Sequence, residues 1–456
     1  MKIILPEHVK KIIKTLETAG YEAFAVGGCV RDSILGREPD DWDITTSAKP
    51  QQVKELFHRT VDTGIAHGTV TVLMDGEGYE VTTYRIDGEY TDCRHPKAVS
   101  FTDNLTEDLR RRDFTINAMA YNESRGLVDA FGGIEDLENG IIRCVGKAIE
   151  RFEEDALRIL RAVRFAAQLG FSIEEKTAGA AALLAENLRN ISAERIQVEL
   201  VKLLVSPHPQ LLRNAYQLGL TRVFLPEFDR MMETEQNNPH HCFNVGEHTL
   251  KALEFVEADR VMRLTVLFHD MGKPECRIVK DGTDHFYGHP EAGEEIAGQI
   301  MRRLKFDNDT TRKVKLLVRL HDRRAPLSEA DREKLYQGKR VVSDKYVRKL
   351  LAQCSSELFP VLLQVCGADV LAQSDYHRTE KLMVLEQMLE VYEEILTKKQ
   401  CLSLKTMAVT GKDLISAGVT QGREIGEILN KMLEDVLEEP EHNTKEYLMK
   451  TYLPQL

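Results

Sequence analysis

The chain is short of several things, and each shortage excludes something. One tryptophan and 7% aromatic residues in 456 positions leave little for an aromatic-driven all-β architecture. The eight cysteines (29, 93, 144, 242, 276, 354, 366 and 401) include no C-x-x-C pair. That argues against a zinc ribbon or a disulfide framework and for a reduced, cytoplasmic protein. Apolar runs are short and interrupted, as at 264–268 and 358–365, far from the ~20 residues that cross a bilayer, so no membrane partner is expected. Residues 1–14 mix Lys with Ile and Leu and lack a signal-peptide core or a small-residue cleavage site. Positive charge is also in deficit. Sixty-one Lys+Arg against 73 Asp+Glu give a net charge of −12, which on its face disfavours a nucleic-acid partner. The average conceals a distribution: residues 301–350 hold 16 Lys+Arg against 7 Asp+Glu, whereas residues 371–456 are acidic. A phosphate backbone responds to a local basic track, so the net charge constrains where nucleic acid binds and not whether it does.

What is present is ordinary globular composition, 42% hydrophobic and 29% charged, and a length that suggests about three domains. Residues 1–140 read as mixed α/β. An amphipathic helix over 6–19 leads to a strand at 23–26 and a Gly-Gly turn, with further β-branched strand runs at 43–46, 69–73 and 80–84. From about 141 the period changes to that of helices, at 151–169, 174–187 and 193–204. Pro207, Pro209, Pro226 and the polar stretch 233–241 punctuate a boundary near 225–240, beyond which helical spacing resumes to about 380 and a Glu-rich helical tail follows. The expected class is α+β: an α/β head on a long helical body.

Four groups of residues in the first half carry chemistry. In Gly27-Gly28-Cys29-Val30-Arg31-Asp32, two glycines between a strand and a helix let backbone N–H groups approach a phosphate, and Arg31 adds a charge-assisted contact. Asp41 and Asp43, two apart on a predicted strand, project from one face and suit Mg²⁺ held between an attacking hydroxyl and a nucleotide α-phosphate. Arg110-Arg111-Arg112-Asp113, with Asn117, can bind phosphates while hydrogen-bonding a ribose. Asp155, Arg158, Arg161 and Arg164 step by three along a predicted helix, with Glu154 placed to brace Arg158. A carboxylate beside a guanidinium matches the amino donor and ring-nitrogen acceptor shared by cytosine and adenine. Uracil and guanine meet the same pair acceptor to acceptor and donor to donor. Asp155 with Arg158 is therefore a candidate amino-acid template for CTP and ATP. Each fragment alone also reads as a turn, a strand end or a salt-bridged helix face.

Taken in order, these motifs resemble the polymerase β-like nucleotidyltransferases, and within them the class II bacterial CCA-adding enzyme and poly(A) polymerase family. The resemblance runs over residues 20–225. It implies that Arg112 contacts the nucleotide, Asp113 the sugar, and Arg161 and Arg164 the nucleotide phosphates. Related poly(A) polymerases typically carry Arg where this chain has Asp155, which favours CCA addition. Residues 84–94 resemble the loop that full CCA-adding enzymes carry and that enzymes adding only CC shorten or lose. Residues 191–196 resemble the neck motif, and Asp129 with Gly132, Gly133 and Asp136 the hinge segment. Glu80 is a further carboxylate to weigh as a third metal ligand.

In the body, His248, His269-Asp270, His289, His321 and Asp369 suit a divalent-metal site assembled between helices. They resemble an HD domain, which implies a second divalent metal and leaves open whether the domain hydrolyses phosphate esters or acts as a scaffold. Residues 410–414 and 422–426 resemble the C-terminal segment of CCA-adding enzymes with an HD domain.

The expected organisation is a nucleotidyltransferase head (1–140), an all-α neck with the nucleotide template and RNA-binding helices (141–230), an HD-like helical body (231–380) and a C-terminal helical tail (381–456). The expected activity is template-independent addition of CCA to the 3′ end of tRNA from CTP and ATP with Mg²⁺. The rival readings are an A-adding or poly(A) polymerase on the same scaffold, and a metal phosphohydrolase with an RNA-binding head.

Overall fold

The computed structural model describes residues 2–88 and 99–453, so the 89–94 part of the loop reading, with Cys93, lies outside the described residues. The chain forms two compact units, Met1–Pro226 and Glu227–Leu456.

The first unit begins with α1 (Glu7–Thr18), whose Val9, Ile12, Ile13 and Leu16 recur at helical spacing and are buried. The head strands are β1 (Ala23–Val26), β2 (Ile44–Thr46), β3 (Thr60–Gly64), β4 (Thr69–Met74), β5 (Glu77–Thr83), β6 (Arg85–Asp87), β7 (Val99–Phe101), β8 (Met119–Asn122) and β9 (Gly126–Asp129). Seven of them make one sheet in the order β3-β4-β5-β2-β1-β8-β9, while β6 and β7 pair separately. The wholly apolar β1 is buried at all four positions because strands flank it on both edges. β2 runs parallel to β5, with Ile44 opposite Val81. It starts at Ile44, so Asp43 and Asp41 lie just before the strand and not within it.

The helices α2 (Gly28–Ile34), α3 (Pro50–Leu56), α4 (Leu105–Arg110) and α5 (Gly133–Asn139) complete the head. The hinge-like Asp129 accepts the N–H groups of Gly133 and Ile134 (2.8 and 2.9 Å) and so fixes the start of α5. The predicted helix over 151–169 is two helices, α6 (Ala148–Glu154) and α7 (Leu157–Leu169). Asp155 lies in extended backbone between them (φ −143°, ψ 103°), and its carboxylate accepts the Leu157 N–H at 3.0 Å. This local bond competes with continuation of the helix, which explains the break. Next come α8 (Glu175–Leu183) and α9 (Ala193–Leu204); α9 packs against α7.

The second unit is almost wholly helical, with one two-stranded ribbon of Ile278–Lys280 and Thr283–His285. Its helix starts are capped by residues visible in the sequence: Asn244 takes the Glu247 N–H, Asp259 that of Met262 and Asp307 that of Thr310. The helix Phe359–Ala372 is apolar nearly all round and sits in the main core with Leu317, Val347, Leu351 and Met388. The helix Arg378–Thr397 runs unbroken through position 380 and contributes Val384, Val391 and Ile395 to that same core. A smaller core gathers Cys401, Val409, Leu414, Met432 and Leu448 at the C-terminal end. In the tail, Thr410 and Asp413 make a reciprocal capping box. Among the described residues, no single helix is long and apolar enough to cross a membrane.

Candidate functional site

The head site grows from the end of β1. Gly27 has φ 85°, a left-handed conformation natural to glycine, and a Cβ there would lie 2.8 Å from Arg112 Nη1. That position needs glycine twice, for its backbone and for the guanidinium against it. Val26 N–H donates to the Asp43 carbonyl (3.0 Å), which brings the residue carrying the second head carboxylate beside the Gly27-Gly28 helix start. The Asp43 carboxyl is raised by burial and by Asp41, with Arg112 opposing. Glu80, one position before Val81 on β5, is raised by burial and by the charges of Asp43 and Asp41. Asp43 and Glu80 are thus gathered close enough to Asp41 for like charges to repel, with Arg112 answering only at Asp43. Arg112 has its charge disfavoured by burial, supported by Asp108 and Asp43, and its Nε finds no acceptor among the described residues. An orphaned buried donor next to clustered carboxylates suits a site completed by a divalent ion and a phosphate, since Mg²⁺ typically takes one or two carboxylates plus substrate oxygens.

A continuous polar network connects this floor to α7. Arg31 holds Asp32 (2.8 and 2.9 Å) and donates to Asn117 Oδ1 (2.6 Å). Asn117 Nδ2 donates to Asp113 Oδ1 (3.1 Å), and Asp113 Oδ2 accepts from Arg161 at 2.6 and 2.8 Å. Burial pushes the Asp113 carboxyl up, but Arg161, Asn117 and Arg158 outweigh it and hold it well below the usual range. The Phe165 ring lies under three guanidinium groups, with its centroid 3.8 Å from Arg164, 5.1 Å from Arg31 and 5.4 Å from Arg161. That hub was hidden in the sequence, where Phe165 reads as one more apolar helix residue.

Asp155 and Arg158 come out differently from a single helical stripe. Arg158 donates to Glu154 (2.6 Å), as the i, i+4 spacing anticipates, and also to the carbonyls of Arg151 (3.2 Å) and Arg111 (3.0 Å). Asp155, in the break, accepts from Leu157 N and from Arg195 Nη2 at 2.7 Å. Arg164 is buried and paired with Glu199, with a second bond to Gln168 (2.6 Å). Glu199 was invisible as a functional partner because it lies 35 residues away on α9. Removing one member of a buried pair leaves the other charge uncompensated. We therefore expect Glu199→Ala to lower unfolding free energy by about 3–5 kcal/mol, read by denaturant unfolding.

In the second unit, the six predicted residues do meet. His248 lies within the helix Val245–Leu253. His269 closes Arg260–Phe268, so the His269-Asp270 pair sits at a helix end. His289 opens His289–Arg303, and His321 closes Asn308–Leu320. Every imidazole is anchored through Nδ1 to a backbone carbonyl: His248 to Ala372 (3.3 Å), His269 to Val266 (2.7 Å), His289 to Phe286 (2.8 Å) and His321 to Val318 (2.6 Å). This leaves all four Nε2 atoms facing the centre, as metal-ligating histidines are held by their outer partners. Two ligand sets result, His248/His269/Asp369 and Asp270/His289/His321, each with its ligand atoms within 4.8 Å of one another. His289 Nε2 faces His321 Nε2 at 3.3 Å, and His269 Nε2 lies 3.1 Å from Asp270 Oδ2. Converging lone pairs of this kind suit cations. Burial pulls His289 down to about 4, and it pushes Asp270 and Asp369 up while neighbouring cations hold both well below their usual range. Around them lies a cavity of about 550 Å³ whose lining includes Lys273, Tyr287 and Arg324. Lys273 and Arg324 ion-pair with Asp270 (2.7 Å) and Asp369 (2.8 Å), and neither was singled out from the sequence.

The basic stretch 301–350 is less free than its composition suggests. Lys315 and Arg319 face Glu294, Arg340 pairs with Glu394, and Lys345 and Lys349 share Glu438, all acids from outside the stretch.

The Gly-Gly helix start, clustered acids and arginine network on a mixed sheet, joined to a helical unit with an HD-type centre, define a nucleotidyltransferase of the poly(A) polymerase head class. Residues 23–143 match the family model of the poly(A) polymerase head domain, residues 240–350 the HD domain, and residues 361–452 tRNA nucleotidyltransferase domain 2. The CCA-adding enzyme of Lactobacillus helveticus is 36% identical over 449 residues, covering 98% of this chain and 96% of that protein. The CCA-adding enzyme of Levilactobacillus brevis is 37% identical over 426 residues, covering 93% and 92%. The crystal structure of the Bacillus stearothermophilus CCA-adding enzyme in complex with CTP aligns with a TM-score of 0.68 at 28% identity, over 99% of both chains. The chain belongs to the family of CCA-adding enzymes, nucleotidyltransferases that use a divalent metal.

Proposed function

We propose that this chain adds CCA to the 3′ end of tRNA, using CTP and ATP. The observation that carries the reading is the unbroken polar network from the Gly27-Gly28 helix start through Arg31, Asn117 and Asp113 to Arg161, beside Asp41 and Asp43. Asp41 and Asp43 are the proposed metal ligands, with Glu80 the third acid at the site. A bound Mg²⁺ would supply charge that favours the tRNA 3′-oxyanion and the departing pyrophosphate. The protein's own part is positioning. The N–H groups opening α2 and the Arg112 guanidinium receive the triphosphate, and Asp113 and Asn117 meet the ribose. Arg161 and Arg164 stand toward the phosphates through Asp113 and Phe165.

Base selection is assigned to Asp155 and Arg158. Asp155 uses two of a carboxylate's roughly four acceptor positions within the protein, and Arg158 uses three of a guanidinium's roughly five N–H donors. Both keep capacity for a cytosine or adenine edge without surrendering a bond. The stepwise test uses tRNA ending at the discriminator base. CTP alone extends it by two residues, ATP alone leaves it unextended, and both together give three and then stop. A ladder with ATP alone supports the poly(A) rival.

The converging imidazoles favour a second reading for the helical unit, a two-ion centre competent for phosphate-ester hydrolysis. We expect the full chain to hold close to two divalent ions beyond those at the head carboxylates, measured by elemental analysis after loading and desalting. His321→Ala lowers that content, and an unchanged content in the variant contradicts the assignment.

A further inference from the structure

We infer that Arg195 is a positioning residue for base selection, aiming the Asp155 carboxylate at the incoming nucleotide. The inference rests on the reading that Asp155 selects the base, and it deepens that reading.

Asp155 is poorly placed to hold its own direction. It belongs to neither α6 nor α7 and sits on extended backbone, so no helical geometry fixes where its side chain points. Two contacts do so instead. Oδ1 is tied locally by the Leu157 N–H at 3.0 Å, and Oδ2 is tied by Arg195 Nη2 at 2.7 Å, from a residue 40 positions later. A carboxylate held at both oxygens by donors from different directions has its plane as well as its position set. The remaining acceptor positions then point one way, which a carboxylate that must reject the carbonyls of uracil and guanine requires.

The price of putting Arg195 there is visible. It occupies the first turn of α9, where the helix macrodipole disfavours a cation. Its Nη1 is buried with no acceptor among the described residues. An unpaired buried donor costs stability, so a guanidinium kept in this state is not explained as a stabilising element. The same helix also carries Glu199, which fixes Arg164, so one face of α9 braces two of the polar positions around α7. With both oxygens of Asp155 held, discrimination is built into the folded neck before any nucleotide arrives.

The test measures kcat/KM for all four nucleoside triphosphates on tRNA ending at the discriminator base. The full-length proteins compared are wild type, Arg195→Ala, Arg195→Lys, Asp155→Ala and the Asp155/Arg195 double variant, with melting temperatures alongside. We expect Arg195→Ala to reduce the preference for CTP over UTP by roughly ten- to a hundredfold, the range for losing one charge-assisted hydrogen bond. The loss falls more on KM for CTP than on kcat. Arg195→Lys retains the charge without the planar fork and recovers part of the preference. The double variant discriminates no worse than Asp155→Ala alone, because the two residues act as one unit. If Arg195→Ala slows all four nucleotides equally and leaves their ratios unchanged, Arg195 is a structural brace only and the inference is overturned. Should the alanine variant fail to fold, unchanged ratios in Arg195→Lys overturn it equally. If Asp155→Ala itself leaves the ratios unchanged, the base-selection reading fails first. If Asp155→Ala erodes them and neither Arg195 variant does, this inference alone fails.

Discussion

Asp43→Ala lowers single-turnover incorporation of CMP into tRNA by about a thousandfold or more, while the affinity for tRNA stays within a few-fold of wild type. The magnitude follows from the several kcal/mol that a metal-bound transition state gains from charge neutralisation, at about 1.4 kcal/mol per factor of ten. The structure explains why the loss should be so specific. Asp43 feels the charges of Asp41, Glu80 and Arg112, and it is exposed where the β2 residues after it are buried. Removing it relieves like-charge repulsion, so the fold is retained or slightly stabilised while the reaction stops. Rapid-quench incorporation assays beside filter binding separate the two effects. A variant with near-wild-type turnover would remove Asp43 from the site.

The second large effect concerns fidelity. Asp155→Ala leaves the head carboxylates untouched but deletes the acceptor that meets an exocyclic amino group. Preference for C and A over U and G should fall by on the order of a hundredfold or more, the scale set by leaving buried polar groups mispaired. Loss of Asp155 also frees Arg195 and removes the bond to Leu157 N that opens α7, so some loss of stability accompanies it. The diagnostic quantity is therefore the ratio of nucleotides incorporated in competition and not the absolute rate. Equal losses for all four triphosphates would make Asp155 a helix-start residue and nothing more.

Much of this was legible in the chain because it is local. β1 reads as a strand since four apolar residues run directly into Gly-Gly, and the structure places it at 23–26. The bounds of α9 follow from Ser192 before a sharply amphipathic run. The HD-type histidines were recognisable as a set, and the anchoring of His269, His289 and His321 to carbonyls three residues earlier is a consequence of their standing at helix ends. What escaped has a common cause. The α6–α7 break interrupts an apolar period that continues across it, and only the short side chain of Asp155, accepting the Leu157 N–H, marks the spot. The Arg164–Glu199 and Asp155–Arg195 pairs join residues 35 and 40 apart, so neither partner announces the other. Part of the basic stretch at 301–350 is answered, for the same reason unseen in the sequence, by acids from other segments.

CCA addition is tested most directly by the sequence of the 3′ ends that the full-length protein makes on tRNA truncated at the discriminator base, with all four nucleoside triphosphates in competition. Extended molecules are expected to end in CCA and go no further, with U and G rare at every position. Oligo(A) tails, or U and G entering freely in the wild-type protein, would contradict it.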